Sequence, residues 1–520
     1  MSSKAQNKFF VTTPIYYVND VPHIGHAYCT IAADVLARYH RLIGDDVLFT
    51  TGTDEHGQKL EKAALERGVT PKELADEVSP RFRELWEKLN ISYDDFIRTS
   101  EDRHKKTVNE LFKIIYDKGD IYLGKYSGLY CRPCETYWTD SQAENNKCPE
   151  CGRDLELLEE ESFFLKQSSY ADKLLKYIEE NPTFIMPQSR RNEVINLIKQ
   201  GLPDLSISRV TCQWGIPVPK EINDKESSQQ HFIYVWFEAL INYLTVAGGF
   251  VDQKKFNKYW PADVHLVGKD IVKFHAITWP IMHMAAGLNI PKMIYGHGFL
   301  TVGGEKISKS KGNALAIEPL IEIFGVDAVR YFLMREISFG NDGTVSIEAL
   351  TNRYNSDLAN DIGNLLSRTI TMTEKYCGGL VPAVDKNHFG SDDIAASELP
   401  MLLEGKELWK KLSYSLILET IWGVISNLNK AIEESAPWKL FKEGKQTEVE
   451  KVLYKLLENL RIIAVLIKPF MPETGAKMLV QLGCNPEDTN TQWGELPAGQ
   501  KVTKGDALFP RIVETVTEQK

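Results

Sequence analysis

His23-Ile24-Gly25-His26 stands between an apolar, β-prone stretch, Phe9-Phe10-Val11-Thr12-Thr13, and a segment whose apolar residues recur at helical spacing, Ile31, Val35, Leu36, Tyr39 and Leu42. Two histidines three residues apart therefore fall where a strand gives way to the N-terminus of a helix. The pattern calls for an α/β fold that presents polar groups at the C-terminal end of a strand. At a helix start, unpaired N–H groups and the positive end of the dipole favour a phosphate. Imidazole N–H groups aimed at the same place can stabilise charge that develops during phosphate chemistry. About 280 residues later comes Lys306-Ile307-Ser308-Lys309-Ser310, framed by Gly303-Gly304 and Gly312. The bland alternative for the first motif is a helix-capping turn with satisfied histidines, and for the second, taken alone, a solvated lysine loop. Together they point to adenylate chemistry.

With 520 residues, 43 % of them apolar, the chain can build two to four domains with substantial cores. No run of 18 apolar residues occurs, so no membrane span is expected. Met1 to Lys8 is too short and polar for a signal or transit peptide. Eight cysteines are too few for a disulfide scaffold of this size, and four form two Cys-x-x-Cys pairs, which suits a reducing cytoplasm and a metal. The net charge of −10 argues against nonspecific nucleic-acid coating but leaves room for a specific RNA partner.

Residues 1–115 alternate strand and helix, and the second strand, Asp46 to Thr51, runs into Gly52-Thr53-Asp54-Glu55-His56-Gly57. No Gly-x-Gly-x-x-Gly follows a strand, which disfavours the dinucleotide version of this fold. Residues 116–230 read as an insertion carrying the cysteines. The α/β pattern resumes over 231–345, with strands expected at 231–237, 264–267 and 293–302 and a helix from Asp270 to about Gly287. Residues 346–520 read as all-helical; at 451–468, for example, an apolar face ends before Pro469 and Pro472.

Cys131-x-x-Cys134 and Cys148-x-x-Cys151 are separated by 13 residues, and each pair contains a proline. Four thiolates so spaced suit a tetrahedral, structural zinc with no open position.

This order of motifs resembles the class I aminoacyl-tRNA synthetases. Thr13-Pro14-Ile15-Tyr16-Tyr17, Thr53-Asp54-Glu55-His56-Gly57, Tyr234-Val235-Trp236, Gly268-Lys269-Asp270-Ile271 and Ala436-Pro437-Trp438 resemble the methionyl-tRNA synthetase family within that class. The resemblance implies a Rossmann-like parallel-sheet catalytic domain with a zinc-knuckle insertion, followed by an all-α anticodon-binding domain. It implies that His23 and His26 contact the ATP phosphates and that Gly25 leaves room for the nucleoside. Lys306 and Lys309 would neutralise the departing pyrophosphate, with Ser308, Gly268, Lys269 and Asp270 completing the ATP site. ATP would act as a substrate with Mg, beside one structural Zn. The implied methionine pocket is Ile15, Tyr17, Asp54, Trp236, Ala239, Leu240, Tyr243, Ile271 and His275, with Asp54 on the α-ammonium. Asn364, Arg368 and Trp438 would read the anticodon of methionine tRNA, initiator and elongator alike. This chain has Ile307 where the family's loop usually carries methionine, and Leu240 replaces a proline found in some relatives. A cytoplasmic monomer is expected. The alternatives are another class I synthetase, a small nucleotidyltransferase and a nonenzymatic zinc-knuckle RNA-binding protein. Methionine-dependent exchange of pyrophosphate into ATP separates them.

Overall fold

The structure, a computed structural model, describes residues 6–134, 136–138, 143–302, 305–306, 316–385, 389 and 407–513. The chain divides into two compact units, residues 1–22 with 46–297, and residues 23–45 with 298–520.

The first unit is built on a six-stranded parallel sheet. Its order is β3 (Asp95–Arg98), β2 (Asp46–Asp54), β1 (Lys8–Tyr17), β11 (Val264–Gly268), β12 (Ile294–His297) and β7 (Ile185–Met186). The central strands are buried nearly throughout, which is why they read as continuous apolar runs rather than alternating ones. β1 continues past Thr13 to Tyr17, and its pairing with β2 slips between Thr12 and Ile15. Pro14 sits inside that irregularity, where its missing N–H breaks no ladder bond. At Gly52 an added Cβ would lie 2.1 Å from the carbonyl oxygen of Ile97, so β2 and β3 approach closely only because this residue is glycine. Ile185–Met186 supplies an edge strand of this sheet although it falls within 116–230.

An antiparallel sheet of β5 (Thr136–Trp138), β4 (Ile121–Cys131), β6 (Glu156–Leu165) and β8 (Leu205–Ser206) carries the cysteines. β9 (Ser208–Arg209) pairs with β10 (Phe232–Ile233). The strand expected at 231–237 is therefore cut short: after Ile233 the chain turns helical over Val235–Leu240. A short run that is apolar on every side looks the same whether it becomes a buried strand or a buried helix. The helix expected from Asp270 is also subdivided, into a π-helical turn at Phe274–Thr278 and an α-helix at Trp279–Ala286.

The second unit is mainly helical. Among the described residues it has no strand after Gly343–Thr344. The helix Ile24–Leu42 is held at three levels along its length. Arg330, fully buried, bonds the equally buried Asp34 at 2.6 Å and donates through Nε to the Phe470 carbonyl at 2.9 Å. The Tyr414 hydroxyl donates to the Ala32 carbonyl at 2.8 Å, and the Tyr39 ring stacks on Trp409 at 3.8 Å. Removing one partner of a buried ion pair typically costs about 3–5 kcal/mol, so the seat of this helix is well determined.

Candidate functional site

The candidate residues fall into four groups, two in each unit. In the first unit, Tyr17 and Asp54 are register partners at the C-terminal ends of β1 and β2, and Asp54 is 5 % exposed. Its neighbours are fixed on either side. The Glu55 carboxylate accepts from Arg98 Nε at 2.6 Å and from Thr53 Oγ1 at 2.8 Å, and the Gly57 N–H donates to the Trp214 carbonyl. Lys59 Nζ lies 4.6 Å from the centre of the Tyr17 ring.

Trp236, Ala239, Leu240 and Tyr243 follow at i, i+3, i+4 and i+7 along the consecutive helices Val235–Leu240 and Asn242–Val246, so they share one face. Leu240 and Tyr243 belong to one apolar cluster against which Ile15 and Ile271 pack. The Trp236 ring lies flat on Phe274, with centres 4.0 Å apart. Nothing in the sequence singles out Phe274 except its place beside His275.

The protons on His275 follow from its partners. Nδ1 faces the Ile271 carbonyl at 3.0 Å, which can only accept, so Nδ1 carries a proton. Burial pushes the ring's pKa down to about 4, so the imidazole is neutral near pH 7 and Nε2 is bare. The Tyr243 hydroxyl, 2.9 Å away, therefore donates to Nε2 and presents its oxygen lone pairs outward. The π-helical turn at Phe274–Thr278 gives His275 this aim; such turns recur at functional sites. His265 stacks on Tyr243 at 4.2 Å from the other side, which fixes the tyrosine ring.

Burial holds His265 well below its ordinary value and brings His283, like His275, down to about 4. Unfolded, each would titrate near 6.5. Between about 6.5 and 4 the unfolded chain binds more protons, so stability should fall as pH is lowered through that window. His283 gives a clean check. Its Nδ1 donates to the Trp279 carbonyl, and its buried Nε2 has no partner among the described residues. His283→Phe should flatten the dependence of unfolding free energy on pH by about 1.4 kcal/mol per unit in that window, measured by denaturant titration. An unchanged slope would mean that this ring is protonated in the folded protein.

Lys269 and Asp270 follow the end of β11; the Lys269 N–H donates to the His297 carbonyl, and an added Cβ at Gly268 would lie 2.7 Å from an Asp270 carboxylate oxygen. Arg209, 4 % exposed and with its guanidinium 4.4 Å from the Tyr234 ring, lines a small cavity with Gly57, Gln58, Trp214 and Val235. It is a buried cation near the Asp54 loop that no local sequence pattern marks.

The second chemical group in this unit is the cysteine cluster. The sulfurs of Cys131, Cys134, Cys148 and Cys151 all lie within 4.8 Å of one another. Cys131 and Cys151 are 3.5 Å apart, and Cys134 and Cys148 3.8 Å. Those separations are too long for disulfides and close to the edge of a tetrahedron with Zn–S bonds of about 2.3 Å, roughly 3.8 Å. Burial pushes the Cys131 thiol up to about 12 and raises Cys134 as well, so thiolates at these two positions call for a cation beside them. The residues fit a structural zinc.

In the second unit, His23 is the N-cap of Ile24–Leu42. Its Nδ1 accepts from the Gly25 N–H at 3.1 Å, while His26 Nδ1 accepts from the His23 N–H at 3.2 Å, a capping box made of two histidines. Capping and phosphate binding are thus compatible. Nitrogens that accept leave the proton on Nε2 of each ring, and the rings stack at 3.8 Å. An added Cβ at Gly25 would stand 3.0 Å from the His23 ring, so the glycine keeps that ring in place. Lys306 belongs to a two-residue strand, Glu305–Lys306; Ile307, Ser308 and Lys309 lie outside the described residues.

The last group is helical. Asn364 and Arg368 lie one turn apart at the start of Asn364–Cys377, which continues directly from a π-helical stretch, Tyr354–Gly363. Asn364 is exposed. Arg368 bonds Glu433 at 2.6 Å near the end of Tyr414–Ser435. Three residues after Glu433, Ala436 adopts a left-handed φ of 42° and opens the helix Pro437–Lys442, on which Trp438 is half-buried.

Parallel strands ending in polar groups, a histidine-capped helix and a helical second unit are the parts of a class I aminoacyl-tRNA synthetase. The family described as tRNA synthetases class I (M) matches residues 9–157 and 144–370. The anticodon binding domain of methionyl tRNA ligase matches residues 410–519. The chain is 52 % identical over 512 residues to a methionine–tRNA ligase of Caldanaerobacter subterraneus subsp. tengcongensis, covering 97 % of this chain and 79 % of that one. It is 49 % identical to the Clostridium perfringens ligase, covering 97 % and 78 %. Mycobacterium tuberculosis methionyl-tRNA synthetase, solved in complex with methionyl-adenylate, superposes with a TM-score of 0.91 at 42 % identity over 97 % of this chain and 100 % of that one. The chain belongs to the methionyl-tRNA synthetase family.

Proposed function

We propose that the chain joins L-methionine to methionine tRNA in two steps, and the observation that carries this reading is 52 % identity to a methionine–tRNA ligase over almost the whole chain. A methionine carboxylate oxygen attacks the α-phosphorus of ATP, forming the acyl–phosphate bond while the bond to pyrophosphate breaks. The methionyl group is then transferred to a hydroxyl at the 3′ end of the tRNA, forming an ester while the acyl–phosphate bond breaks and AMP leaves. Since the substrate is its own nucleophile, the protein's tasks are positioning and charge stabilisation.

Asp54 holds the ammonium. Ile15, Tyr17, Trp236, Ala239, Leu240 and Ile271 enclose the side chain, and Tyr243, held by neutral His275, offers a polar contact near the sulfur. An apolar pocket alone discriminates weakly between isosteres, which gives the Tyr243–His275 pair its value. His23 and His26, with Gly25, Gly268, Lys269 and Asp270, serve ATP and its Mg; Lys306, Ser308 and Lys309 serve the leaving pyrophosphate. Asn364, Arg368 and Trp438 read the anticodon of initiator and elongator tRNA. On this reading 1–115 and 231–345 form the catalytic domain, 116–230 the insertion with the knuckle and 346–520 the anticodon-binding domain of a cytoplasmic monomer. No helix among the described residues is long and apolar enough to cross a membrane.

Exchange of labelled pyrophosphate into ATP, tried with each amino acid, should proceed with methionine alone. Exchange driven better by cysteine, leucine, isoleucine or valine would overturn the assignment. Metal analysis should find one zinc per chain, removed by Cys131→Ser. Aminoacylation should then fall while the methionine KM changes little, because a knuckle on the insertion serves to place the tRNA acceptor end. A zinc-free active protein would remove the metal from the account.

A further inference from the structure

Behind the proposed methionine pocket lies a carboxylate that the chemistry leaves unused. Glu238 has no solvent exposure. Its Oε1 is 3.0 Å from His56 Nδ1, and its Oε2 is 2.8 Å from His104 Nε2. Both rings are buried as well, and His104 Nδ1 reaches Thr245 Oγ1 at 3.1 Å. Burial alone would raise the Glu238 carboxyl, but the two histidines outweigh it and keep it ionised. An ionised carboxylate only accepts, so both facing nitrogens carry protons.

The placement of these groups is what matters. Trp236, Ala239, Leu240 and Tyr243 share one face of the run 235–246, whereas Glu238 and Thr245, seven apart, share another. Two residues of helix turn Glu238 about 200° away from Trp236. The polar back of the pocket helices is therefore bonded at Glu238 and Thr245 to His104, on the helix Asp102–Asp117. The same carboxylate bonds His56, two residues after Asp54. One side chain thus ties together the segment that carries the ammonium partner and the helix that carries the side-chain pocket, 182 residues apart in sequence.

We propose that Glu238 is a positioning residue for methionine, setting the separation between Asp54 and the wall of Trp236, Ala239 and Leu240. The proposal rests on those residues forming the methionine pocket. Glu238→Gln keeps the volume but removes the charge and replaces one acceptor by an N–H donor, so both ties lose their charge assistance and the ring facing the amide nitrogen must change tautomer to keep its bond.

In pyrophosphate exchange at 25 °C, Glu238→Gln should raise the methionine KM about tenfold, since small misplacements of a bound reactant are costly. The ATP KM should stay within about twofold, because only the amino-acid site is loosened. His56→Leu breaks only the tie on the Asp54 side and should act in the same direction. His56→Asn restores an N–H near the Nδ1 position and should recover most of the lost affinity. If Glu238→Gln does not fold, the two His56 variants decide by the same reading. A carboxylate that merely stabilised the core would lower the melting temperature and leave the methionine KM of the folded protein at the parental value, which would overturn the proposal. Trp236→Ala is the control for the pocket itself. An unaltered methionine KM there would remove the pocket reading and the proposal with it. A raised KM for Trp236→Ala with parental values for Glu238→Gln and His56→Leu would overturn the positioning role alone.

Discussion

His26→Ala is expected to slow methionyl-adenylate formation by ~100-fold or more while the methionine KM barely moves, because a donor aimed at charge that grows in the transition state affects rate rather than ground-state binding. The cap geometry sharpens this expectation. His23 and His26 both spend Nδ1 on backbone N–H groups at the helix start, so each imidazole carries its remaining proton on Nε2. The backbone thereby selects the tautomer needed for donation to a phosphate oxygen. It also predicts a cost in stability, about 0.5–2 kcal/mol where His23, the N-cap itself, is lost, and the loss of the bond to the His23 N–H in His26→Ala. Two effects of different size are therefore mixed in any alanine variant. His23→Asn separates them. Asparagine is among the best N-caps, so the helix should remain stable, but its amide is too short to bring an N–H to the position of Nε2. Single-turnover adenylation should still be slowed strongly in that variant at a near-parental melting temperature. Full activity in His23→Asn would reduce the histidines to caps.

The parts of this site that can be read in sequence are those set by local spacing. His23 to His26 and the four cysteines lie within short windows, and the geometry of a helix start or a metal tetrahedron fixes what such windows can do. The run from Trp236 to Tyr243 is less legible. Residues 234–237 are apolar on all sides, so the pattern predicts a strand where Val235–Leu240 is helical, and only the later recurrence at 239, 240 and 243 betrays the helical period. His56, His104 and Glu238 meet across gaps of 48 and 134 residues, and nothing near any of them hints at the others. Arg209 is similar, a cation buried by tertiary packing in a segment that reads as a loop. Domain-scale pattern suffered in the same way. Ile185–Met186 is too short to announce itself as a strand, yet it closes one edge of the parallel sheet.

Trp438→Ala is expected to weaken aminoacylation of methionine tRNA by roughly 5- to 150-fold, the equivalent of the ~1–3 kcal/mol typical of one stacked base. Exchange of pyrophosphate into ATP needs no tRNA and should continue at the parental rate. Two features of the second unit support a base-stacking role over simple core packing. Trp438 is only half-buried, whereas Trp409 and Trp422 in the same unit are buried and pack against Tyr39 and Tyr331. The turn that delivers it begins with Ala436 at positive φ, a conformation an L-residue adopts at a cost of order 1–3 kcal/mol when the surroundings enforce it. Arg368, bonded to Glu433 three residues before that turn, holds the helix of Asn364 near it and supplies a planar donor group for a base edge. A core tryptophan would behave otherwise. Its loss would cost about 3–5 kcal/mol of stability and damage both reactions together through unfolding. Measuring exchange, aminoacylation and the melting temperature on the one variant distinguishes these outcomes, and equal losses in the two reactions would defeat the anticodon assignment.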